Sequence, residues 1–158
     1  MCVTRRLRPV LKTWFAFSLI LMTPAARGDE FHISAAGDDA RDGTVPERAW
    51  RTIARANRQT FRPGDRLLFR GGDAFDGSLV IRVEGAAVAA TPVVVGSYGT
   101  GKAVVHAGEG DGIVCKDTGG LIIRDLVLTG KGANLNRGNG VSVLNTLPGG
   151  KRLDFVRV

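Results

Sequence analysis

The residues of this chain whose types and spacing suit chemistry are few and scattered. Two close carboxylate pairs stand out, Asp73/Asp76 and Asp111/Asp117. Glycosidic cleavage uses such pairs, one group as acid and the other as base or nucleophile, set ~5–9.5 Å apart across the sugar. Glycines flank both pairs, and turn roles explain them without catalysis. The run Gly37-Asp-Asp-Ala-Arg-Asp-Gly-Thr44 matches part of a calcium loop through Asp38, Asp42 and Gly43. Its third position is Ala40, however, and its twelfth is Ala49, where a bidentate Glu belongs. Aspartates capping their own backbone account for the same composition. Arg51, Arg55, Arg58 and Arg62 recur at helical spacing, which suits either a polyanion-binding stripe or, the favoured reading, a solvated face. His32 reads as a strand residue on the solvated side. Cys115, alternating with Ile113, reads as a buried thiol with nothing beside it to lower its pKa. No catalytic, metal-ligating or cofactor-binding residue is assigned, and Asp73, Asp76, Asp111, Asp117 and Arg124 are the residues to test if this chain turned over a polymer.

The elements that must position these groups are mostly short strands. Phe31-His-Ile33 alternates and ends near Gly37. Trp50, Ile53, Ala54 and Asn57 fall on one helical face, opposite the arginines, and Pro63-Gly64 stops the pattern. This predicts one substantial helix near Thr52–Thr60, laid over the end of something larger. Beyond Arg66 come only apolar runs of about three residues: Leu67–Phe69, Leu79–Ile81, Val93–Val95, Val104-Val105, Ile113–Cys115, Leu121–Ile123, Leu126–Leu128, Val141–Val143 and Leu153–Phe155. Units so short cannot bury a core singly and must stack as repeats.

The runs superpose as triplets. Ile113/Cys115, Leu121/Ile123 and Leu126/Leu128 form one coil, and Val141/Val143, Leu153/Phe155 and Val158 form the next, offset by 28, 32 and 32 residues. Leu79/Ile81, Val93/Val95 and Val104 form the coil before, at offsets of 34, 28 and 22. Leu121, Ile123, Leu126 and Leu128 point inward, whereas Ile122, Arg124 and Val127 point outward. Arg124-Asp125 is then a two-residue corner, where Asp tolerates left-handed backbone. The pattern continues to Val158 without a polar cap, so the expectation is a fragment of two to three coils whose downstream sequence completes the fold.

The chain has 158 residues, 22 basic and 15 acidic, for a formal charge of +7. Five of the basic residues lie before Asp29, leaving 17 against 15 in residues 29–158. The basicity therefore belongs to the leading segment, and a nucleic-acid partner is not expected. Arg5, Arg6, Arg8 and Lys12, then the apolar Trp14–Met22, then Ala26-Arg-Gly28 have the three parts of a secretory signal. The apolar run is shorter than the ~20 residues a bilayer span needs. Arg8 stands where a twin-arginine signal prefers a bulky apolar residue, and Cys2 comes too early for lipid attachment. The expected organisation is a signal peptide over residues 1–28, then a domain over 29–158. That domain is secreted, extracellular or periplasmic, and makes no stable membrane span once the signal is removed. With Cys115 as its one cysteine it forms no internal disulfide.

Phe31-His-Ile-Ser, Gly37-Asp38, Asp42-Gly-Thr44, Trp50-Arg-Thr-Ile53, Ala56-Asn57, Pro63-Gly-Asp65, Arg66–Arg70, Phe75, Gly77-Ser-Leu79, Pro92-Val93 and Tyr98-Gly99 together resemble a known beginning. It is the N-terminal part of secreted right-handed parallel β-helix proteins of the pectate-lyase-like superfamily, over residues 31 to about 130. The resemblance implies an all-β solenoid, a right-handed parallel β-helix with an N-terminal α-helical cap. It further implies a polysaccharide partner and, in enzymes of this kind, lyase or glycoside hydrolase action on acidic or plant/algal polysaccharide. Calcium is implied only in the full-length parent. No catalytic motif of the family falls on this chain, so the chain alone is expected to be inactive. A non-catalytic surface, adhesion or glycan-binding β-helix is the competing expectation.

Overall fold

The computed structural model describes residues 28–85, 90–132, 134–146 and 156–158. The expected export segment therefore lies outside the described residues, apart from Gly28, as does the run Leu153–Phe155.

Strands β1 (Glu30–Ile33), β2 (Arg66–Arg70), β3 (Ala74–Asp76), β4 (Leu79–Ile81), β5 (Val93–Tyr98) and β6 (Ala103–Gly108) are followed by five more. These are β7 (Ile113–Lys116), β8 (Leu121–Ile123), β9 (Leu126–Gly130), β10 (Val141–Leu144) and β11 (Val156–Arg157). They form three sheets, ordered β1-β2-β5-β8-β11, β3-β6-β9 and β4-β7-β10. Every pairing is parallel. The chain visits one strand of each sheet in turn and then returns one level on. This is a parallel β-helix-like solenoid of three coils, with β11 starting another level on β8.

Period-two alternation drives this arrangement. One face of each strand carries the core: Leu67, Phe69, Phe75, Leu79, Ile81, Val93, Val95, Ala103, Val105, Ile113, Cys115, Leu121 and Ile123 are all buried. Like stacks on like through the coils, as in Leu79–Ile113–Val141 and Leu67–Val95–Ile123. Each fully buried Val, Leu or Ile contributes ~1.5–3 kcal/mol, an amount no three-residue strand could realise alone. The corner expected at Arg124-Asp125 is present, with Asp125 at φ 56° and its carbonyl accepting the Ser97 hydroxyl at 2.6 Å.

The first coil is closed by separate devices over separate sheets. The predicted helix is a single turn, α1 (Ile53–Ala56), with the Thr52 side chain accepting from the Arg55 N–H at its start. Trp50 lies outside it. Its backbone forms a parallel bridge with Ile33, and its ring stacks on Phe31 with centroids 5.2 Å apart. Arg55 crosses the Trp50 ring at 4.2 Å, so the four arginines form no continuous helical stripe. Pairing with β1 wins over helix here because it satisfies backbone groups along an otherwise open edge. Over β4 the edge is closed by Asn57, whose amide donates to the Ser78 carbonyl at 2.9 Å and accepts from the Val80 N–H at 2.8 Å. One side chain thus stands in for one residue of a missing strand.

Three registers differ from expectation. Ala103 and Val105, not Val104, point inward, because β6 pairs Ala103 with Leu126 and Val104 with Val127. Leu121 pairs with Val156, three residues beyond the expected Leu153. Val158 follows β11 and is exposed, and β9 has no further partner among the described residues. In a uniformly apolar run such as Ala103–Val105 alternation has no contrast, so position in the sheet sets the register.

Candidate functional site

The aspartates singled out by sequence are mostly fastened to backbone. Asp111 accepts from the Asn139 backbone N–H at 2.6 Å and from its side-chain amide at 3.3 Å. The Asn139 N–H, and after it the Ser142 hydroxyl, hold the Asp111 carboxyl below its usual range. Asp117, at φ 54°, accepts from the Thr146 N–H and, at 2.7 Å, from the Thr146 hydroxyl. Both contacts reach one coil onward, so these carboxylates join the corners of adjacent coils. Asp111, held ionised in this way, is a poor proton donor near neutral pH.

Asp73 and Asp76 are not a pair either. Asp73 accepts from the Ala35 N–H at 2.9 Å and the Ser34 hydroxyl at 3.2 Å, tying β3 to the segment after β1. Asp76 lies at the other end of β3, ~10 Å along an extended strand, and is exposed. The aspartate-rich loop consists of local turns: Asp38 accepts from the Ala40 N–H and Asp42 from the Thr44 N–H and hydroxyl. Asp39 takes the Arg51 and Thr52 N–H groups and, at 2.6 Å, the Thr52 hydroxyl. Partial burial acts upward on Asp39, but these hydrogen bonds outweigh it and its carboxyl sits below the ordinary value. Among the described residues no three His, Cys, Asp or Glu gather around one cation position.

His32 is buried, not solvated. The loop after β1 folds back over its ring, with Nδ1 3.4 Å from the Gly43 carbonyl and Nε2 3.2 Å from Glu30, while Tyr98 meets it edge-on. Cys115 is fully buried in the core, and burial pushes its thiol up to about 11.

Stacking assembles two surface clusters that linear spacing hid. On the sheet containing β8, Val94, Ile122 and Arg157 stand in register across β5, β8 and β11. With Ile123, Arg124 and Val158 they line a groove of about 450 Å³ whose polar wall is two exposed arginines. On the sheet of β3, β6 and β9, the register aligns Asp76, His106 and Thr129, one per coil. His106 Nδ1 lies 2.6 Å from the Thr129 hydroxyl. Gly77, Ala107, Gly108, Gly130 and Lys131 complete this second cleft, of about 500 Å³, and Lys131 is paired with Glu109 at 2.8 Å. Thr129 and Lys131 follow His106 by 23 and 25 residues, and only the coil offset of β6 on β9 brings them beside it.

No protein-family model matches the chain, and no curated protein matches it in sequence. Its fold does match solved structures. The GH136 lacto-N-biosidase from Eubacterium ramulus superposes with a TM-score of 0.64 at 18% identity in its selenomethionine form. The native form of that protein gives 0.61 at 17%. The match covers 74% of this chain but only 26% of the other. At such identity the likeness concerns the fold, and it covers about a quarter of the lacto-N-biosidase. No helix among the described residues is long and apolar enough to cross a membrane.

Proposed function

We propose that this chain forms the N-terminal coils of a longer, secreted, right-handed β-helix protein acting on polysaccharide. In this reading the protein is related to the pectate-lyase-like superfamily and its ligand is an acidic or plant/algal polymer. The observation carrying the ligand class is the groove of Arg157 and Arg124, the latter only loosely paired with Asp125 at 3.9 Å, beside Val94 and Ile122. Guanidinium groups suit a uronate carboxylate, and an apolar strip suits the C–H face of its ring. The shared fold with a lacto-N-biosidase, over about a quarter of its length, supports a saccharide-acting parent with further coils. In this reading the coils described here bind rather than cleave: Asp73, Asp111 and Asp117 all accept backbone N–H groups, so neither Asp73/Asp76 nor Asp111/Asp117 is a pair free to act on a glycosidic bond. The same observation favours a second reading, in which the whole protein is a glycan-binding or adhesion module. Charged residues on outward positions of downstream coils would point to an enzyme, and Ser/Thr/Asn repeats to the binder.

The test uses the full chain with oligogalacturonate and alginate oligomers, by calorimetry and by assay for unsaturated products and new reducing ends. Binding should weaken with salt and fall about tenfold in Arg124→Ala, the loss of one hydrogen-bonded charge. No cleavage should be seen, with or without calcium. Absence of binding to any acidic oligomer would sink the ligand class, and turnover would sink the binding-only role.

A further inference from the structure

We propose that the outer face of β3, β6 and β9 carries a second saccharide site, for an uncharged, hydroxyl-rich sugar chain running along the solenoid axis. Two outward rows cross this sheet side by side. Ala74, Val104 and Val127 form an apolar row, and Asp76, His106 and Thr129 form a polar one, each with one residue per coil. Val127 is 40% exposed, so the apolar row is open to a ligand. A sugar ring has the same two characters, an apolar C–H face and a rim of hydroxyls. Coils lie ~4.8 Å apart, comparable to the length of one sugar unit, so successive units meet successive side chains of the row.

The charges of the cleft select against an anion. Lys131 is neutralised by Glu109, and Asp76 forms no ion pair among the described residues. An anionic sugar would meet the exposed Asp76 carboxylate, and the one lysine lining the cleft is already engaged by Glu109. A neutral one offers hydroxyls, two of which a carboxylate can accept. His106 is held through Nδ1 by Thr129, which leaves Nε2 for a further hydroxyl and fixes the ring before any ligand arrives. Of the glycines lining the cleft, Gly108 leaves open space where a Cβ would stand, whereas the Asn136 side chain fills that position at Gly130. The cleft thus admits a ligand close to backbone, and its volume lies within the ~300–1,000 Å³ range of small-ligand sites.

The inference is independent of the acidic-ligand reading, since it uses another sheet and the opposite charge logic. The experiment titrates the ¹⁵N-labelled full chain with xylohexaose and cellohexaose, and separately with oligogalacturonate, following amide shifts. A neutral hexasaccharide should move Gly77, His106, Gly108, Thr129 and Gly130, with an affinity insensitive to salt and to Arg124→Ala. Asp76→Ala and His106→Ala should each weaken it by about tenfold or more. If either variant misfolds, the wild-type shift map decides alone. Neutral sugars that move no amide of this face, or an Asp76→Ala protein binding as well as wild type, would overturn the proposal. Acidic oligomers moving only the Arg124 groove, with neutral ones silent, would overturn it while leaving the acidic-ligand reading standing.

Discussion

Cys115 and Asp111 show opposite effects of the same solenoid on ionisable groups. The thiol is enclosed by Ile113 and the stacked neighbouring strands, and burial alone raises it to about 11. A maleimide reagent should therefore label the native protein far more slowly than the denatured protein, because both access and thiolate are lacking. Rapid native labelling would mean that β7 is one residue out of register. Asp111 is at the surface, where the Asn139 N–H lowers its pKa. A carboxyl with a depressed folded pKa stabilises fully above its unfolded value near ~3.9, and that contribution is lost as pH falls through the lower folded value. Asp111→Ala should accordingly lower the Tm at neutral pH, with the gap to wild type closing in strong acid. A gap unchanged down to strong acid would show that the carboxylate's charge is not what holds the corner.

At the level of elements, the strands are interchangeable, but their corners and edges are individual. Asn57 caps the open edge of β4 with one donor and one acceptor. Asn57→Leu should cost ~2–3 kcal/mol in denaturant unfolding, since it strands two backbone groups of a half-buried edge. Asn57→Asp, which keeps the acceptor, should cost less. A loss below a few tenths of a kcal/mol would show that water satisfies this edge as well as the side chain does. Asp125 occupies left-handed backbone. Asp125→Val should destabilise by ~1–2 kcal/mol and Asp125→Gly by little or not at all. The pair of variants separates backbone strain from loss of the side chain.

For the molecule as a whole, the two ends of the stack differ. The first coil is closed by Trp50 over β1, Asn57 over β4 and the Asp73 bridge beside β3. At the other end, Val143 and Leu144 in β10 and Val158 after β11, the last strands of their sheets among the described residues, are 45, 48 and 78% exposed. Such an edge pairs readily with other chains. Light scattering should show association that grows with concentration, and Val143→Lys should reduce it. A strictly monomeric wild type at high concentration would contradict this.

Sequence alone carried the repeat. Alternating triplets separated by glycine and aspartate have one way to bury their apolar faces, which is to stack, and that logic alone places Leu79 on Ile113 and Val93 on Leu121, as the sheets do. It also placed Asp125 in its left-handed corner, because a two-residue connection leaves few backbone choices. Helical spacing overstates the helix: Trp50 stands three residues before Ile53, yet pairing with the open edge of β1 satisfies more backbone than another helical turn would. Alternation likewise puts His32 on the solvated side, whereas the folded position of the Asp38–Ala49 loop covers that nominally outward residue. The candidate sites were the least legible. Asp111 and Asp117 resemble a catalytic pair until the next coil brings Asn139 and Thr146 onto them, while Asp76, His106 and Thr129 resemble nothing until two coil offsets align them. Alternation is a local property written in consecutive residues. A cluster on the surface of a solenoid depends on the lengths of the loops between strands, and tertiary stacking alone fixes which residues those lengths bring side by side.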